Sequence, residues 1–307
     1  MDLRRVAHEL RPSVPKHRVP MESALLRFGA NAALRLMPSR AVPSVRLEVH
    51  NDAGQGIRLY VPDVRHSDGA LLWIHGGGLI IGHPVIDDHF CSETARALGI
   101  VVASAHYRLA PVNPYPAAID DCHSAWEWLL RNAASLGIDP ARIAIGGQSA
   151  GGGLAASLVQ RVCDGQSPRA VAQWLFCPML DDRTAARRDL DVEKHFVWDN
   201  HINRFGWRAY LGSEPGGVEV PAYAVPARRD HVAGLPPTWI GVGDIDLFFA
   251  EDVAYARRLA NEGVSVSFDA VPGAPHGFEV WGRSTRTANA YLGRARDWLR
   301  QAIQAQP

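Results

Sequence analysis

Short runs of apolar and β-branched residues recur along the chain, and in its later part they alternate with segments whose apolar residues lie three and four positions apart. The short runs are typical of buried strands, and the longer spacing is typical of helices with one buried face. The predicted strands are Val45–Val49, Ile57–Val61, Ala70–Ile74, Ile100–Ala103, Arg142–Ile145, Ala170–Phe176, Pro237–Val242 and Val264–Ala270. The predicted helices are Asp88–Leu98, Ala117–Leu136, Ala150–Val162, Phe248–Glu262 and Ser284–Ala305. Such alternation predicts one α/β core, a mostly parallel sheet with helices on both faces.

The first two predicted strands are connected differently from the others. Only the short glycine-containing segment from His50 to Gly56 separates them. A segment of this length suits an antiparallel hairpin, since a parallel crossover needs a dozen residues or more. We therefore expect an eight-stranded sheet that begins antiparallel and continues parallel.

Two segments do not follow the alternation. Residues 1–44 include the amphipathic stretch Glu22–Met37, and residues 181–226 are rich in aromatic side chains. These aromatic residues are Phe196, Trp198, Phe205, Trp207, Tyr210 and Tyr223. The two segments together predict a helical cap over one edge of the sheet, although surface helices packed by their own aromatics are an equal alternative for any single side chain. The expected organisation is a cap segment at 1–44, core at 45–180, a cap insertion at 181–226 and core at 227–307.

Charge and composition exclude several classes of protein. The 32 basic residues balance the 32 acidic ones, so no net positive field favours nucleic acid. The longest apolar runs fall far short of the ~18 residues that a membrane-spanning helix needs. The N-terminal sequence MDLRRVAHEL carries charges of both signs and no apolar stretch of signal-peptide length. We therefore expect neither an export signal nor a membrane span, and a cytoplasmic protein.

The cysteines are sparse and widely spaced. None of the spacings matches the C-x-x-C pattern of a metal or redox site, and four cysteines are too few for a disulfide scaffold. They are Cys91, Cys122, Cys163 and Cys177. The prediction is buried or free thiols in a reducing compartment.

A glycine-rich turn follows the strand Arg142–Ile145 and precedes a helix. It contains G-x-S-x-G at Gly147–Gly151, in the strand-turn-helix setting that gives this motif its meaning. The turn exposes Ser149 at the top of the sheet, and the helix that follows points unpaired N–H groups toward negative charge beside the serine. We predict a nucleophile here; the alternative is a glycine-rich turn with a solvent-exposed serine.

The segment His75–Gly78 supports the nucleophile. Acyl transfer requires N–H donors aimed at the oxyanion of the tetrahedral intermediate, and successive glycines let the backbone approach the reacting carbon. The expected donors are Gly76 and Gly77, with Ala150 after the serine. We expect His75 to hold this loop through hydrogen bonds rather than to act as the base.

The base and the acid are predicted from their places after strands. His276 follows the last strand, where its ring can reach Ser149, whereas the remaining histidines lack this placement. The preceding strand ends at two carboxylates, Asp244 and Asp246, which the residues alone do not distinguish. Glu251 and Asp252 are expected on the helix that follows.

The sequence from about Ala70 to Phe278 resembles the hormone-sensitive-lipase-like branch of the α/β-hydrolases, which includes many bacterial carboxylesterases. Six segments carry the resemblance in the family's order: HGGG at His75–Gly78, Y-R-L-A-P to A-A-x-D-D at Tyr107–Asp121, D-P-x-R-I-A-I-G at Asp139–Gly146, G-x-S-A-G-G at Gly147–Gly152, D-L to A-R-R-L at Asp246–Leu259, and P-H-G-F at Pro275–Phe278. The resemblance implies an α/β-hydrolase fold with a cap made of the N-terminal segment and an insertion.

The resemblance also implies roles for individual residues. It gives Ser149 as nucleophile and His276 as base, and it favours Asp246 as the acid from its position relative to Tyr255. The implied oxyanion-hole donors are Gly76, Gly77 and Ala150. Two positions depart from the family, which commonly has an acidic residue where this chain has Gln148 and Glu where it has Val112. Neither departure removes a catalytic group, but each affects the hydrogen bonding that holds the active-site loops.

These observations predict a carboxylesterase that acts on short-chain esters through a Ser-His-Asp triad and an acyl-enzyme. No metal or organic cofactor is required, and the expected partner is a small-molecule ester. An amidase or acyltransferase with the same triad is the alternative enzyme, and a non-catalytic small-molecule receptor on the same fold is the rival from another class. The oligomeric state, monomer or homodimer, is left open.

Overall fold

A single eight-stranded sheet runs through the protein. The structure, a computed structural model, describes residues 2–15, 20–51 and 56–305. The strands are β1 Val45–His50, β2 Ile57–Pro62, β3 Ala70–Ile74, β4 Val101–Ala105, β5 Ile143–Gln148, β6 Gln173–Phe176, β7 Thr238–Gly243 and β8 Val266–Val271. Their order is β1-β2-β4-β3-β5-β6-β7-β8, and only the β1/β2 and β2/β4 pairs are antiparallel. The predicted α/β-hydrolase sheet with an antiparallel start is confirmed; of its first turn, residues 52–55 lie outside the described residues.

Helices cover both faces of the sheet. They are α1 Ala24–Arg35, α2 Asp88–Leu98, α3 Ala117–Arg131, α4 Ala150–Asp164, α5 Asp182–Ala186, α6 Asn200–Leu211, α7 Phe249–Asn261, α8 Phe278–Trp281 and α9 Arg286–Gln304. Apolar residues of α3, α4 and α7 form one buried cluster with the sheet, and those of α2 and α9 form another on the opposite face. Because β3 and β4 are buried along their whole length, alternation with polar residues is absent there, as expected of central parallel strands.

Most predicted boundaries differ from the structure by one to three residues, and the ends of α3 and β5 have a visible local cause. Helix α3 ends at Arg131 rather than Leu136, because the Asn132 side chain donates to the Trp128 carbonyl (2.8 Å) and Gly137 then turns the chain with a left-handed φ of 60°. Strand β5 continues through both glycines to Gln148, so the turn begins only at Ser149. The extra strand residues pair with β6 and thereby fix the position of the serine.

Two further findings concern the thiols and membranes. All four cysteines are free, three of them buried and Cys163 partly exposed. Within the described ranges, no helix combines the length and the apolar character that crossing a membrane requires.

Candidate active site

Ser149 stands between the end of β5 and the start of α4. Its φ of 54° places a non-glycine residue in a strained conformation, and its N–H is held by the Phe176 carbonyl (2.8 Å). A Cβ on Gly151 would lie 2.1 Å from the Ile74 carbonyl oxygen, so only glycine lets α4 approach β3 this closely. The sharp turn therefore presents the serine hydroxyl above the carboxyl ends of the parallel strands.

Three side chains from distant parts of the chain meet at this serine. The His276 Nε2 lies 2.9 Å from the Ser149 Oγ, and the His276 Nδ1 lies 2.8 Å from an Asp246 carboxylate oxygen. The other Asp246 oxygen accepts from the Phe248 N–H (2.9 Å), which fixes the carboxylate. Asp244, in contrast, is exposed and accepts from the Gly273 N–H (2.7 Å). The structure thus brings Ser149, His276 and Asp246 together and leaves Asp244 outside.

The electrostatics of the group make the His276 imidazole easier to protonate than an ordinary histidine. Burial alone disfavours the charged ring, but the charge and hydrogen bond of the Asp246 carboxylate outweigh it and raise the pKa of His276 above its ordinary value. The Phe248 ring packs edge-on against the imidazole, with centroids 5.2 Å apart. His276 can therefore accept a proton from Ser149 and hold it as an ion pair.

Gly76 adjoins the serine, since a Cβ on this glycine would stand 3.4 Å from the Ser149 Cβ. Gly77 and Gly78 both have positive φ, so the loop after β3 bends sharply at the two glycines that follow Gly76. Within residues 2–15, 20–51 and 56–305, no acceptor is paired with the N–H groups of the predicted donors. These donors are Gly76, Gly77 and Ala150, the last being the first residue of α4. The helix N-terminus adds positive potential at the same place.

His75 is fully buried at the start of this loop. Its Nδ1 donates to the Gly76 carbonyl (2.8 Å), and its ring stacks on Tyr107 with centroids 4.3 Å apart. Complete burial lowers the pKa of His75 to about 3, so the ring is neutral. The expected loop-holding hydrogen bond is present, and the stacking was not foreseen.

The two segments predicted as a cap contact the donor loop. From α1, Asn31 accepts from the Gly82 N–H (3.0 Å) and donates to the Ile80 carbonyl. From the aromatic segment, the Trp198 ring lies 1.9 Å from where a Cβ on Gly78 would stand, so the indole covers the loop backbone. Both segments therefore pack against the loop that carries two of the predicted donors.

One group of side chains gathers metal-ligating atoms in the described part of the chain. The ligand atoms of Cys177, Asp246 and His276 lie within 4.8 Å of one another. The imidazole and the carboxylate are already joined by their hydrogen bond, which is the arrangement of a proton relay.

Sequence reasoning missed one contact beside Ser149. The Gln148 amide donates to the carboxylate of Glu279 (2.7 Å), a residue 131 positions away, and no local pattern marks this pair. Val112, the second departure from the family, is 85% exposed.

Comparisons with known proteins decide the family. Residues 71–280, more than half of the chain, match a family described as having the alpha/beta hydrolase fold. The chain belongs to the α/β hydrolase family. This α/β hydrolase is 33% identical to the carboxylesterase NlhH of Mycobacterium tuberculosis over 292 residues, covering 90% of this chain and 89% of that protein.

Solved structures agree along nearly the full length of this α/β hydrolase. A bacterial heroin esterase is similar with a TM-score of 0.89 and 33% identity, covering 99% of each chain. An esterase of the bacterial hormone-sensitive lipase family has a TM-score of 0.76 and 28% identity, with 98% of each chain covered. The α/β hydrolase therefore belongs to the hormone-sensitive-lipase-like carboxylesterases, as its motifs indicated.

Proposed function

We propose that this serine ester hydrolase cleaves short-chain carboxylic esters through an acyl-enzyme formed on Ser149. The observation that carries the proposal is the continuous hydrogen-bonded path from the Ser149 Oγ through His276 to Asp246. A serine hydroxyl is a weak nucleophile until a neighbouring base takes its proton, and a buried carboxylate holds that base in the correct tautomer.

In the acylation step, the Ser149 Oγ attacks the ester carbonyl carbon while its proton passes to His276 Nε2. The negative charge that develops on the carbonyl oxygen is stabilised by the N–H groups of Gly76, Gly77 and Ala150. Collapse of the tetrahedral intermediate breaks the ester C–O bond, and the leaving alkoxide takes the proton from His276. The alcohol departs and the acyl group remains on the serine.

In the deacylation step, a water molecule attacks the acyl carbon and gives its proton to His276. The same donors stabilise the second oxyanion, and collapse returns the proton to Ser149 as the carboxylic acid leaves. Asp246 stays ionised throughout and stabilises the imidazolium formed in each half-reaction. No step calls for a group outside this set.

The preference for short acyl chains is inferred from the space beside the donor loop. Trp198 covers Gly78, and a Cβ on Gly206 would lie 2.8 Å from the Gly78 carbonyl oxygen. Phe205, the residue before Gly206, is held under the Arg27 guanidinium, 4.8 Å from the ring centroid. Each methylene that finds no apolar partner forfeits about 0.8 kcal/mol of binding in the transition state, or about fourfold in rate. A site enclosed by these side chains therefore favours acetyl to butyryl esters.

The free thiols support a second part of the proposal, which concerns the compartment in which the protein acts. Because the cysteines form no disulfide in the described residues, we infer action in the reducing cytoplasm.

The test is a series of p-nitrophenyl esters from two to sixteen acyl carbons, with Ser149→Ala as the blank. The proposal requires kcat/KM to be highest at two to four carbons and to fall steeply thereafter. A profile that rises through sixteen carbons would refute the short-chain preference. Hydrolysis by the Ser149→Ala variant at the wild-type rate would refute the nucleophile.

A further inference from the structure

The amide of Gln148 lies between the two loops that carry the chemistry. Its Nε2 donates to the Glu279 carboxylate (2.7 Å), and the same nitrogen is 3.4 Å from where a Cβ on Gly277 would stand. Its Oε1 faces the donor loop, 3.2 Å from where a Cβ on Gly76 would stand. One side chain therefore fills the gap between the loop after β3 and the turn that bears His276.

Glu279 is tied to His276 through a very short segment. It lies in the four-residue helix α8, which begins after Gly277, a residue with a left-handed φ of 66°. The Trp281 indole of the same helix donates back to the His276 carbonyl (3.0 Å). A shift of the Glu279 carboxylate therefore moves the backbone of His276, which lies only three residues earlier.

The carboxylate of Glu279 is buried and therefore needs a hydrogen-bond donor. The residue is 5% exposed and borders a cavity of about 340 Å³ whose wall includes the aromatic rings of Trp73 and Phe90. Burial raises the pKa of Glu279, while the Gln148 hydrogen bond favours its ionised form. A buried carboxylate without that donor would lose its fixed position or its charge.

We propose that Gln148 and Glu279 form a positioning pair that sets the distance between His276 and Ser149. The proposal rests on the function given above, since it assigns the pair to the nucleophile and base. Ser149 follows Gln148 directly, and His276 precedes Glu279 by three residues. The Gln148–Glu279 hydrogen bond therefore joins the same two chain segments as the Ser149–His276 hydrogen bond. The amide at position 148 supplies the proton for this hydrogen bond, which a carboxylate there would lack while Glu279 is ionised.

A positioning role predicts an effect on kcat rather than on KM. Misplacing a base by a fraction of an ångström slows proton transfer while the ester still binds. Gln148→Met keeps the side-chain length and removes the donor, whereas Glu279→Leu removes the acceptor. Glu279→Gln keeps an acceptor oxygen for Gln148. Glu93→Leu is the matched control, because Glu93 borders the same cavity and pairs with Arg96 instead.

The experiment is a double-mutant cycle on hydrolysis of p-nitrophenyl acetate. The p-nitrophenol released stoichiometrically by diethyl p-nitrophenyl phosphate counts competent sites, so kcat is expressed per folded, active molecule. We expect Gln148→Met and Glu279→Leu each to lower kcat about tenfold with KM within threefold of wild type. The double variant should lose no more than either single variant, because both remove the same bond. Glu279→Gln and Glu93→Leu should stay within threefold of wild type.

Several outcomes would overturn the positioning pair. They are single variants within twofold of wild type, a double variant near a hundredfold loss, or a Glu279→Gln variant as slow as Glu279→Leu. If Glu279→Leu does not fold, the half-buried Gln148→Met and the conservative Glu279→Gln still decide the matter. Failure of the proposed function is distinguished by the wild type, which would then hydrolyse the ester no faster than Ser149→Ala.

Discussion

Replacing Asp246 with asparagine tests the proton path most sharply. The carboxylate accepts from His276 Nδ1–H at 2.8 Å, and its second oxygen is already engaged with the Phe248 N–H. With that oxygen retained as the amide carbonyl, the Asn NH₂ group faces Nδ1. The imidazole must then carry its proton on Nε2, the nitrogen that lies 2.9 Å from the Ser149 hydroxyl and has to be unprotonated to act as base.

The expected loss is on the order of 10⁴ in kcat, equivalent to about 5 kcal/mol of transition-state stabilisation. Asp244→Asn is the matched control, because the same chemical change two residues earlier keeps an oxygen for the Gly273 N–H and touches nothing in the triad. We expect that variant to stay within threefold of wild type. The assay is steady-state hydrolysis of p-nitrophenyl acetate at pH 8, with circular dichroism as the check on folding. Equal losses in the two variants, or a larger loss for Asp244→Asn, would refute the assignment of the acid.

Four further predictions concern activity and stability. Ser149→Ala should abolish hydrolysis and leave the thermal midpoint within a few degrees of wild type; retained turnover would contradict it. Since the pKa of His276 is raised, kcat/KM should fall as the pH decreases, with the midpoint of this fall above pH 6.5. A midpoint below pH 6 would count against the raised pKa. Burial raises the pKa of Asp87 to about 6, so its folded form binds more protons and stability declines as pH rises from about 4 to 6. Asp87→Asn should therefore gain about 1–3 kcal/mol in urea unfolding at pH 8, whereas a loss would show that the charge is stabilising. Trp198→Ala should raise kcat/KM for octanoyl relative to acetyl esters, and an unchanged ratio would show that the indole does not limit the acyl chain.

The sheet was predictable because short apolar runs alternate along the chain with segments whose apolar residues lie three and four positions apart. The end of α3 was not, since Leu136 continues the apolar spacing while the Asn132 side chain terminates the helix earlier. A single capping hydrogen bond overrides a periodic pattern there. The continuation of β5 to Gln148 was missed for a related reason: two glycines suggest a turn, yet they pair with β6.

The residues meeting at Ser149 were predictable to different degrees. His276 was chosen by its place after the last strand, which the parallel topology brings over the serine. The residues alone did not decide whether Asp244 or Asp246 is the acid, because both follow β7. Only the local turn directs the Asp246 side chain into the core and the Asp244 side chain to solvent. The contact between Gln148 and the Glu279 carboxylate was not predictable, because neither residue stands in a motif that points to the other.

The central claim is that the acyl group is carried by Ser149 and that His276 activates this hydroxyl. It is tested most directly by reaction with diethyl p-nitrophenyl phosphate, which phosphorylates activated serines, followed by peptide mass mapping. We expect one diethylphosphoryl group per chain, located on Ser149, with p-nitrophenol released in equal amount. In His276→Ala, labelling should be at least a thousandfold slower. Label on another residue, or undiminished labelling of Ser149 in the His276→Ala variant, would contradict it.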